Sequence, residues 1–339
     1  MKVAVFGTGA VGGWIGGAWA SAAIDVVMIG RKPAADEIAI HGLTISDGSG
    51  DGPSRSIHLP AGTITCTTDP SAMADADVVL VTVKSIHTAA AAAAIARHAP
   101  KSAVVISFQN GVSNAERLGA ALPGRTVLPG MVPFNVVRLG NGRWHKATAG
   151  DLMAQDHEVT RALADKLGPR PGRLKLADDM VPVLWSKLLL NLNNAVNALS
   201  GKTLIEELTD RDYRQVVAAT QDEALAAMKL AGIEPAKMGV VPPERLPDVL
   251  RLPNALFKPF LKLQGIDPEA RSSMADDFAA GRQTEIDFLN GEVVALARKH
   301  GRNPRANAAI VQLVKEAELG VERRWSGAEL KARTLQPRG

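Results

Sequence analysis

The chain has 339 residues, of which 46% are hydrophobic and 22% charged, a composition typical of a soluble globular protein with roughly two domains. Its formal net charge is +4, but the basic residues are scattered, which excludes a nucleic-acid-binding surface. A single cysteine, Cys66, rules out an internal disulfide framework. The seven histidines lack metal-ligand spacing, so we expect no metal site.

The uncharged segment 3–24 has some features of a secretory signal, but six glycines interrupt it. A strand, a turn and a helix account for this spacing better. No other apolar span reaches about 18 residues, the length that a membrane helix needs. We therefore expect a cytoplasmic protein that neither crosses nor binds a membrane.

A glycine-rich motif follows the first apolar run, Lys2–Phe6. Gly7-x-Gly9-x-x-Gly12 stands directly after that strand and opens a helical pattern, which is the context that dinucleotide binding requires. Gly7 permits a tight turn, Gly9 lets the backbone approach a pyrophosphate, and Gly12 brings the helix close to the strand. The alternative is a glycine-rich turn with a structural role alone. The residues expected to contact the cofactor here are Gly7, Gly9, Ala10, Val11 and Gly12.

The end of the second predicted strand, Asp25–Gly30, indicates which dinucleotide is bound. NAD-binding sites usually carry an acidic residue at this point, to hold the ribose 2′-hydroxyl. Here Arg31 and Lys32 follow the strand instead. Because a guanidinium can grip a 2′-phosphate, this pair predicts NADPH, with Arg31 as the main contact. The alternative is two solvated surface cations.

Two further predicted strands end in polar residues at the same edge of the sheet. The run 77–83 ends at Lys84, and the run 103–108 ends at Gln109-Asn110-Gly111. Open α/β sheets bind ligands at the carboxyl ends of their strands, so we expect Lys84 and Asn110 to contact cofactor or substrate. An Asn-Gly pair is also a common turn, which is the alternative for Asn110.

These elements predict a Rossmann-type α/β domain over residues 1–172. Residues 135–150 are expected to form a hairpin that closes the domain, and Gly168–Gly172 to form the linker. The helical pattern that begins at Asp178 predicts an all-α second domain over residues 173–330.

The first polar stripe of the second domain lies within a leucine-rich helix. Lys187, Asn191 and Asn194 are spaced i, i+4 and i+7, so they are predicted to share one helix face. Such groups destabilise an apolar helix unless they find partners, and a pocket for an anionic, hydroxylated ligand would supply them. The alternative is a buried structural network of hydrogen bonds.

A second polar segment runs from Ser273 to Glu285. In one continuous helix these two residues would be about 18 Å apart, too far to reach one small substrate. Gly281 is a good helix stop, and the run Thr284–Asp287 has the form of a capping box. We therefore predict a break near 281–284, which would let Ser273 and Glu285 face a single site.

Taken together, these motifs resemble the ketopantoate reductase (2-dehydropantoate 2-reductase) family over nearly the whole chain. The resemblance implies a Rossmann domain, an all-helical second domain, and NADPH-dependent reduction of ketopantoate to pantoate, a step of pantothenate biosynthesis, in the cleft between them. The motifs that carry it are Gly7-x-Gly9-x-x-Gly12, Lys84, Gln109-Asn110-Gly111, Trp185-x-Lys187 with Asn191, Ser272-Ser273-Met274, Thr284–Asp287 and Asn290-Gly291.

The resemblance also implies roles for individual residues. Lys187 matches the catalytic lysine, which would act as general acid, and Glu285 matches the active-site glutamate. Asn110, Asn191 and Ser273 match substrate-contacting positions, and Asn194 is expected to join them. Arg31 and Lys84 match contacts to the cofactor.

Two departures concern the substrate. Ala195 stands where many members have a second asparagine, and residues 233–270 form an insert with seven prolines that we expect to act as a lid or to reshape the pocket. A reductase of another branched or aromatic 2-keto acid, giving a D-2-hydroxy acid, therefore stays open as an alternative. A non-catalytic NADP-binding sensor is the alternative of a different class, and a homodimer is also left open.

Overall fold

The computed structural model describes residues 1–48, 55–263, 265–320 and 323–335. The chain divides into two units, residues 1–180 and 181–339. Of the proline-rich insert 233–270, only Gln264 lies outside the described residues.

The first unit alternates strands with helices. Its strands are β1 (Lys2–Phe6), β2 (Asp25–Ile29), β3 (Leu43–Asp47), β4 (Arg55–Leu59), β5 (Thr65–Thr67), β6 (Val78–Val81), β7 (Val104–Ser107), β8 (Val127–Met131), β9 (Val136–Gly140), β10 (Arg143–Lys146), β11 (Leu152–Gln155) and β12 (Leu174–Ala177). Its helices are α1 (Ala10–Ser21), α2 (Lys32–His41), α3 (Thr88–His98), α4 (Asn114–Ala121) and α5 (Glu158–Leu167).

The main sheet has, among the described residues, eight strands in the order β12-β11-β8-β7-β6-β1-β2-β5. From β5 to β8 neighbouring strands are parallel, and their order is that of a Rossmann fold. All residues of β6 and β7 are buried, as expected for strands covered by helices on both faces. The predicted Rossmann-type first domain is confirmed.

A second sheet, in the order β4-β3-β10-β9, packs against α1. The predicted hairpin within 135–150 is confirmed as the antiparallel pair β9 and β10. Its strand β10 also pairs in parallel with β3, about a hundred residues earlier in the chain. This long-range pairing makes the hairpin part of a separate layer beside α1.

The segment Gly168–Gly172, expected to be the linker, instead joins α5 to β12 inside the first unit. Strand β12 pairs with β11 in parallel, so the sheet continues through Ala177. The first unit therefore extends past residue 172, to Met180.

The described part of the second unit contains helices and no strand, which confirms the expected all-α fold. Helix α9 is central, because α7, α8, α10, α13, α14 and α15 all pack against it. The helices are α6 (Val181–Asn191), α7 (Asn193–Ser200), α8 (Leu204–Thr209), α9 (Arg211–Leu230), α10 (Leu246–Arg251), α11 (Asn254–Leu263), α12 (Ser273–Ala279), α13 (Asn290–Lys299), α14 (Arg305–Glu318) and α15 (Gly327–Leu335).

The proline-rich insert is folded onto α9 by the fully buried Arg214. Its guanidinium donates 2.7 Å hydrogen bonds to the carbonyls of Leu250 and Leu252 and a further bond to the side chain of Asn254. The same group lies 4.1 Å from the ring centroid of Phe257, a cation–π contact. The insert thus has ordered helices, and a buried cation of α9 bonds directly to them.

None of the helices in the described ranges is both long and apolar enough to span a membrane.

Candidate active site

The glycine motif forms a turn between β1 and α1. Gly7 has a φ of +117°, which favours glycine, and its N–H donates to the carbonyl of Ile29 at 2.8 Å. A Cβ on Gly12 would lie 2.2 Å from the carbonyl oxygen of Gly7 and 2.3 Å from Oγ1 of Thr82, so only glycine lets α1 start this close to the sheet.

Gly9, in contrast, faces open space. A Cβ built on it would meet no atom within 4 Å, although Gly9 sits at the N-cap of α1. The first N–H groups of a helix have no partner within the helix, so Ala10, Val11 and Gly12 present donors at this end. An unobstructed backbone beside a helix N-terminus fits a dinucleotide phosphate.

Arg31 lies at the end of β2 as the N-cap residue of α2, and its side chain is exposed. The following residue, Lys32, forms a 2.8 Å ion pair with Asp36 on the same helix. Arg31 is therefore the better placed of the two cations to hold an additional anion.

Lys84 and Asn110 follow β6 and β7, and a buried hydrogen-bonded network joins their loops. The carbonyl of Asn110 accepts hydrogen bonds from Oγ of Ser85 at 2.8 Å and from Nδ2 of Asn114 at 2.6 Å. This network was not predicted from the sequence, although its signal is present there as polar residues just after two buried strands. Its buried members are Ser85, Thr88, Ser107, Gln109 and Asn114.

The strand order explains why these positions share one edge. Strands β2, β1, β6 and β7 are adjacent and parallel, so their carboxyl ends point the same way. This arrangement brings Arg31, Gly7, Lys84 and Asn110 to consecutive positions along a single edge of the first unit.

In the second unit, Lys187 lies on α6 between mainly buried neighbours and is itself partly buried. Burial lowers the pKa of its ammonium group from 10.5 to about 8. A lysine with this pKa is a proton donor suited to neutral pH.

The predicted single helix face with Lys187, Asn191 and Asn194 is wrong in one respect, because the helix is interrupted after Asn191. Helix α6 ends there and α7 begins at Asn193, so Asn194 lies on a second helix. The Gln221 side chain donates a 3.0 Å hydrogen bond to the carbonyl of Leu189, the acceptor that residue 193 would use in a continuous helix.

A buried acid, Glu207, connects α7 and α8. Its Oε2 accepts hydrogen bonds from Nδ2 of Asn197 at 3.0 Å and from Nδ2 of Asn193 at 3.3 Å. No partner reaches its Oε1 within the part of the chain that the structure describes. Burial raises the pKa of this carboxyl to about 8. Glu207 was not predicted as a site residue, because in the sequence it stands next to another acidic residue on a short helix.

The predicted interruption between Ser273 and Glu285 is confirmed. Helix α12 ends at Ala279, and Gly281 has a φ of +60°. The turn is closed by Arg282, whose N–H donates to the carbonyl of Asp277 at 2.8 Å and whose guanidinium pairs with the Asp277 carboxylate at 3.0 Å.

The predicted capping box at Thr284–Asp287 is wrong. Oγ1 of Thr284 accepts the N–H of Ile286, two residues on, which leads into a 3-10 turn at Ile286–Phe288. The backbone N–H of Thr284 donates to Glu318 of α14 at 2.7 Å, and α13 begins only at Asn290. The side chain of Thr284 itself and that of Glu318 on α14 thus fix this turn.

Ser273 is the exposed first residue of α12, and Glu285, beyond the break, is 9% exposed. That the side chains of Ser273, Glu285 and Lys187 contact the same substrate stays a prediction. Across the described ranges, no group of three or more His, Cys, Asp or Glu side chains is placed to hold a metal ion.

Two family models match the chain, one for each part. Residues 3–158 match "Ketopantoate reductase PanE/ApbA", and residues 179–318 match "Ketopantoate reductase PanE/ApbA C terminal". A curated relative, the 2-dehydropantoate 2-reductase of Halobacterium salinarum, is 29% identical over 311 residues, which cover 88% of this chain and 93% of the relative.

Solved structures show the same fold. The PanE/ApbA family ketopantoate reductase of Ralstonia eutropha is 28% identical, with a TM-score of 0.80 over 94% of this chain and 99% of that one. D-Mandelate dehydrogenase, solved with NADH and anilino(oxo)acetate, has a TM-score of 0.76 at 20% identity, with the same shares covered. At that identity the second likeness establishes the fold alone.

Proposed function

Because the chain belongs to the ketopantoate reductase family, we propose that it reduces 2-dehydropantoate to pantoate with NADPH. As a member of this family it is an oxidoreductase that acts on CH–OH groups. Lys187 carries the proposal: a partly buried ammonium with a lowered pKa, on a helix otherwise rich in leucine. A helix that served packing alone would gain stability from an apolar residue there.

The proposed reaction converts the ketone into a secondary alcohol. A dinucleotide held by the glycine motif and Arg31 would supply the hydride that the carbonyl carbon accepts. Lys187 stabilises the negative charge that develops on the carbonyl oxygen and gives that oxygen a proton from Nζ. The neutral amine then recovers a proton from solvent, so the enzyme returns to its starting state.

The other residues of the second unit bind and orient the substrate in this proposal. Asn191, Asn194 and Ser273 supply amide and hydroxyl donors for the substrate carboxylate and hydroxyl. Glu285 orients Lys187 or accepts a substrate hydroxyl. Holding the ketone against the proton donor lowers the entropic part of the barrier.

The first unit holds the cofactor in this proposal. The N–H groups of the glycine motif bind the pyrophosphate, and Arg31 holds the 2′-phosphate, which distinguishes NADPH from NADH. Lys84 and Asn110 are the proposed contacts further along the same edge. The open space at Gly9 supports the pyrophosphate contact, and the exposure of Arg31 supports the 2′-phosphate contact.

An aromatic 2-keto acid is the second candidate substrate. The fold likeness to D-mandelate dehydrogenase, together with Ala195 at a position where asparagine is expected, favours testing it. The product would be an aromatic D-2-hydroxy acid formed by the same chemistry.

The test measures NADPH oxidation by purified protein with ketopantoate, a branched 2-keto acid and phenylglyoxylate. We expect ketopantoate to give the highest kcat/KM, and Lys187→Ala to lose most of the activity. Lys229→Ala, which removes an exposed lysine at the end of α9, is the matched control and should retain it. Preference for phenylglyoxylate would favour the second candidate. Dinucleotide binding without any turnover would favour the sensor, and full activity of Lys187→Ala would contradict the role of that residue.

A further inference from the structure

We propose that Trp144, on the hairpin of the second sheet, is a positioning residue that fixes the phosphate-binding turn for the dinucleotide. The inference rests on the proposed function, because it assumes that this turn binds a dinucleotide phosphate. It gives the second sheet, which carries Trp144 on β10, a role in cofactor binding that the glycine motif alone does not indicate.

The contact is between the indole of Trp144 and the backbone of Gly9. The indole Nε1 donates a 3.0 Å hydrogen bond to the carbonyl of Gly9, and Trp144 is fully buried. The same carbonyl accepts the N–H of Gly13 at 3.0 Å, the first bond of α1. Both lone pairs of this oxygen are therefore used, which determines how the peptide between Gly9 and Ala10 is oriented.

The orientation of that peptide decides where a donor points. A trans peptide is planar, with its C=O and N–H directed oppositely. Since the carbonyl of Gly9 is held towards α1 and the hairpin, the N–H of Ala10 must point out of the helix N-terminus. This donor is one of those proposed to bind the pyrophosphate, so Trp144 acts on phosphate binding through the peptide plane.

The glycine next to the motif admits the indole. A Cβ on Gly13 would lie 2.2 Å from Nε1 of Trp144 and 2.4 Å from the adjoining ring carbon, so no other residue fits there. Gly13 is outside the G-x-G-x-x-G pattern, and this contact accounts for it.

The hairpin is itself held from two sides. The guanidinium of Arg138 lies 5.3 Å from the ring centroid of Trp144 and forms a 2.9 Å ion pair with Glu37 of α2. On the α1 side, Nζ of Lys146 on β10 lies 5.5 Å from the ring centroid of Trp14. The hairpin thus contacts both α1, which follows the phosphate-binding turn, and α2, which begins next to Arg31.

The chain offers a matched control in Trp19. Trp19 is a residue of α1 and, like Trp144, is fully buried, and its Nε1 donates a 2.9 Å hydrogen bond to the carbonyl of Gly172. Trp19→Phe therefore removes the same type of bond, indole to glycine carbonyl, without touching Gly9.

The test compares Trp144→Phe with Trp19→Phe by calorimetric titration with NADPH and by thermal unfolding. The loss of one hydrogen bond that preorganises a binding site should raise the Kd of Trp144→Phe about five- to tenfold. Trp19→Phe should have a similar Tm change but a Kd within about twofold of the wild type, a difference below 0.5 kcal/mol by the relation between Kd and free energy. Equal Kd values for the two variants would overturn the inference.

A second measurement uses the wild-type protein, so it does not depend on whether the variants fold. The indole N–H signals of the five tryptophans are followed by NMR during titration with NADP⁺. We expect the Trp144 signal to shift and that of Trp19 to stay in place. A shift of Trp19 as large as that of Trp144, or no shift of Trp144, would overturn the inference. Failure of the wild-type protein to bind any dinucleotide would instead contradict the proposed function, and this inference with it.

Discussion

The side-chain oxygen of Asn197 accepts a 2.9 Å hydrogen bond from the backbone N–H of Ser272. Ser272 is the N-cap of α12, and its Oγ also donates to the carbonyl of Asn194 at 2.9 Å. The start of α12, which carries Ser273, is thus attached to α7 by two bonds. Asn197 in turn donates to Glu207, so a buried acid supports this part of the candidate site.

The pH dependence of stability should report on Glu207. Its pKa is about 8 in the folded protein and 4.5 as an ordinary carboxyl. Between these values the folded protein keeps a proton that the unfolded chain has lost, so the free energy of unfolding falls as pH rises. Glu207→Gln has no carboxyl to titrate. Its free energy of unfolding should therefore fall less steeply between pH 5 and 8, by up to about 1.4 kcal/mol per pH unit.

Urea denaturation at several pH values measures this effect. Glu206→Gln is the control: the exposed Glu206 caps α8, and a backbone hydrogen bond from Thr203 lowers its pKa below the range tested. It should leave the slope between pH 5 and 8 unchanged. Parallel curves for the wild type and Glu207→Gln would show that Glu207 is ionised in the folded protein.

The rate of keto-acid reduction should depend on the protonation of Lys187. With a pKa of about 8, the ammonium is present at neutral pH and is lost at higher pH. We expect kcat/KM for reduction to be level below that pKa and to fall about tenfold per pH unit above it. Stopped-flow or steady-state assays in the reductive direction measure the profile.

Lys187→Arg provides the comparison. A guanidinium stays protonated across this range, so the variant should be slower but should lose the alkaline decline. An alkaline decline at the same pH in Lys187→Arg would assign the titration to another group.

The choice of coenzyme should depend on Arg31. Loss of a charge-assisted hydrogen bond to a 2′-phosphate costs about 1.5–3 kcal/mol, so Arg31→Ala should raise the KM for NADPH about ten- to a hundredfold. The KM for NADH, which lacks that phosphate, should change little. Lys32→Ala should have a smaller effect, because Lys32 already pairs with Asp36. Equal losses for the two coenzymes in Arg31→Ala would contradict the assignment.

The break after α12 should depend on the conformation of Gly281. Its φ is +60° and a Cβ added there would meet no atom within 4 Å, so the cost of Gly281→Ala comes from the backbone alone. We expect a loss of about 1–2 kcal/mol in the free energy of unfolding. Gly281→Asn should lose less, because asparagine tolerates this region. An increase in stability with alanine, as in a regular helix, would be inconsistent with the break.

Much of the first unit could be predicted from local patterns. Strand β1 has the predicted bounds, β2 differs by one residue, and the all-buried β6 and β7 are visible as apolar runs. The break at Gly281 was predictable too, because glycine readily adopts the left-handed conformation that ends a helix, and Gly281 has a φ of +60°.

The remainder depends on contacts between distant parts of the chain. The pairing of β3 with β10 and the bond from Trp144 to Gly9 have no local signature, because each joins residues about 100 or more positions apart. The interruption between α6 and α7 likewise coincides with a hydrogen bond from Gln221, thirty-two residues after its acceptor. The periodicity of apolar residues predicts each helix separately. It contains no information on a side chain of a different helix that bonds to its backbone.

The bonds of Arg214 have a consequence for how the proline-rich insert can vary. Its guanidinium is buried and uses acceptors at Leu250, Leu252 and Asn254. Removal of α10 and α11 would take away all of these acceptors, and a cation that is desolvated without partners destabilises a fold strongly. A variant with a shortened insert therefore needs a residue at position 214 whose stability does not depend on those acceptors.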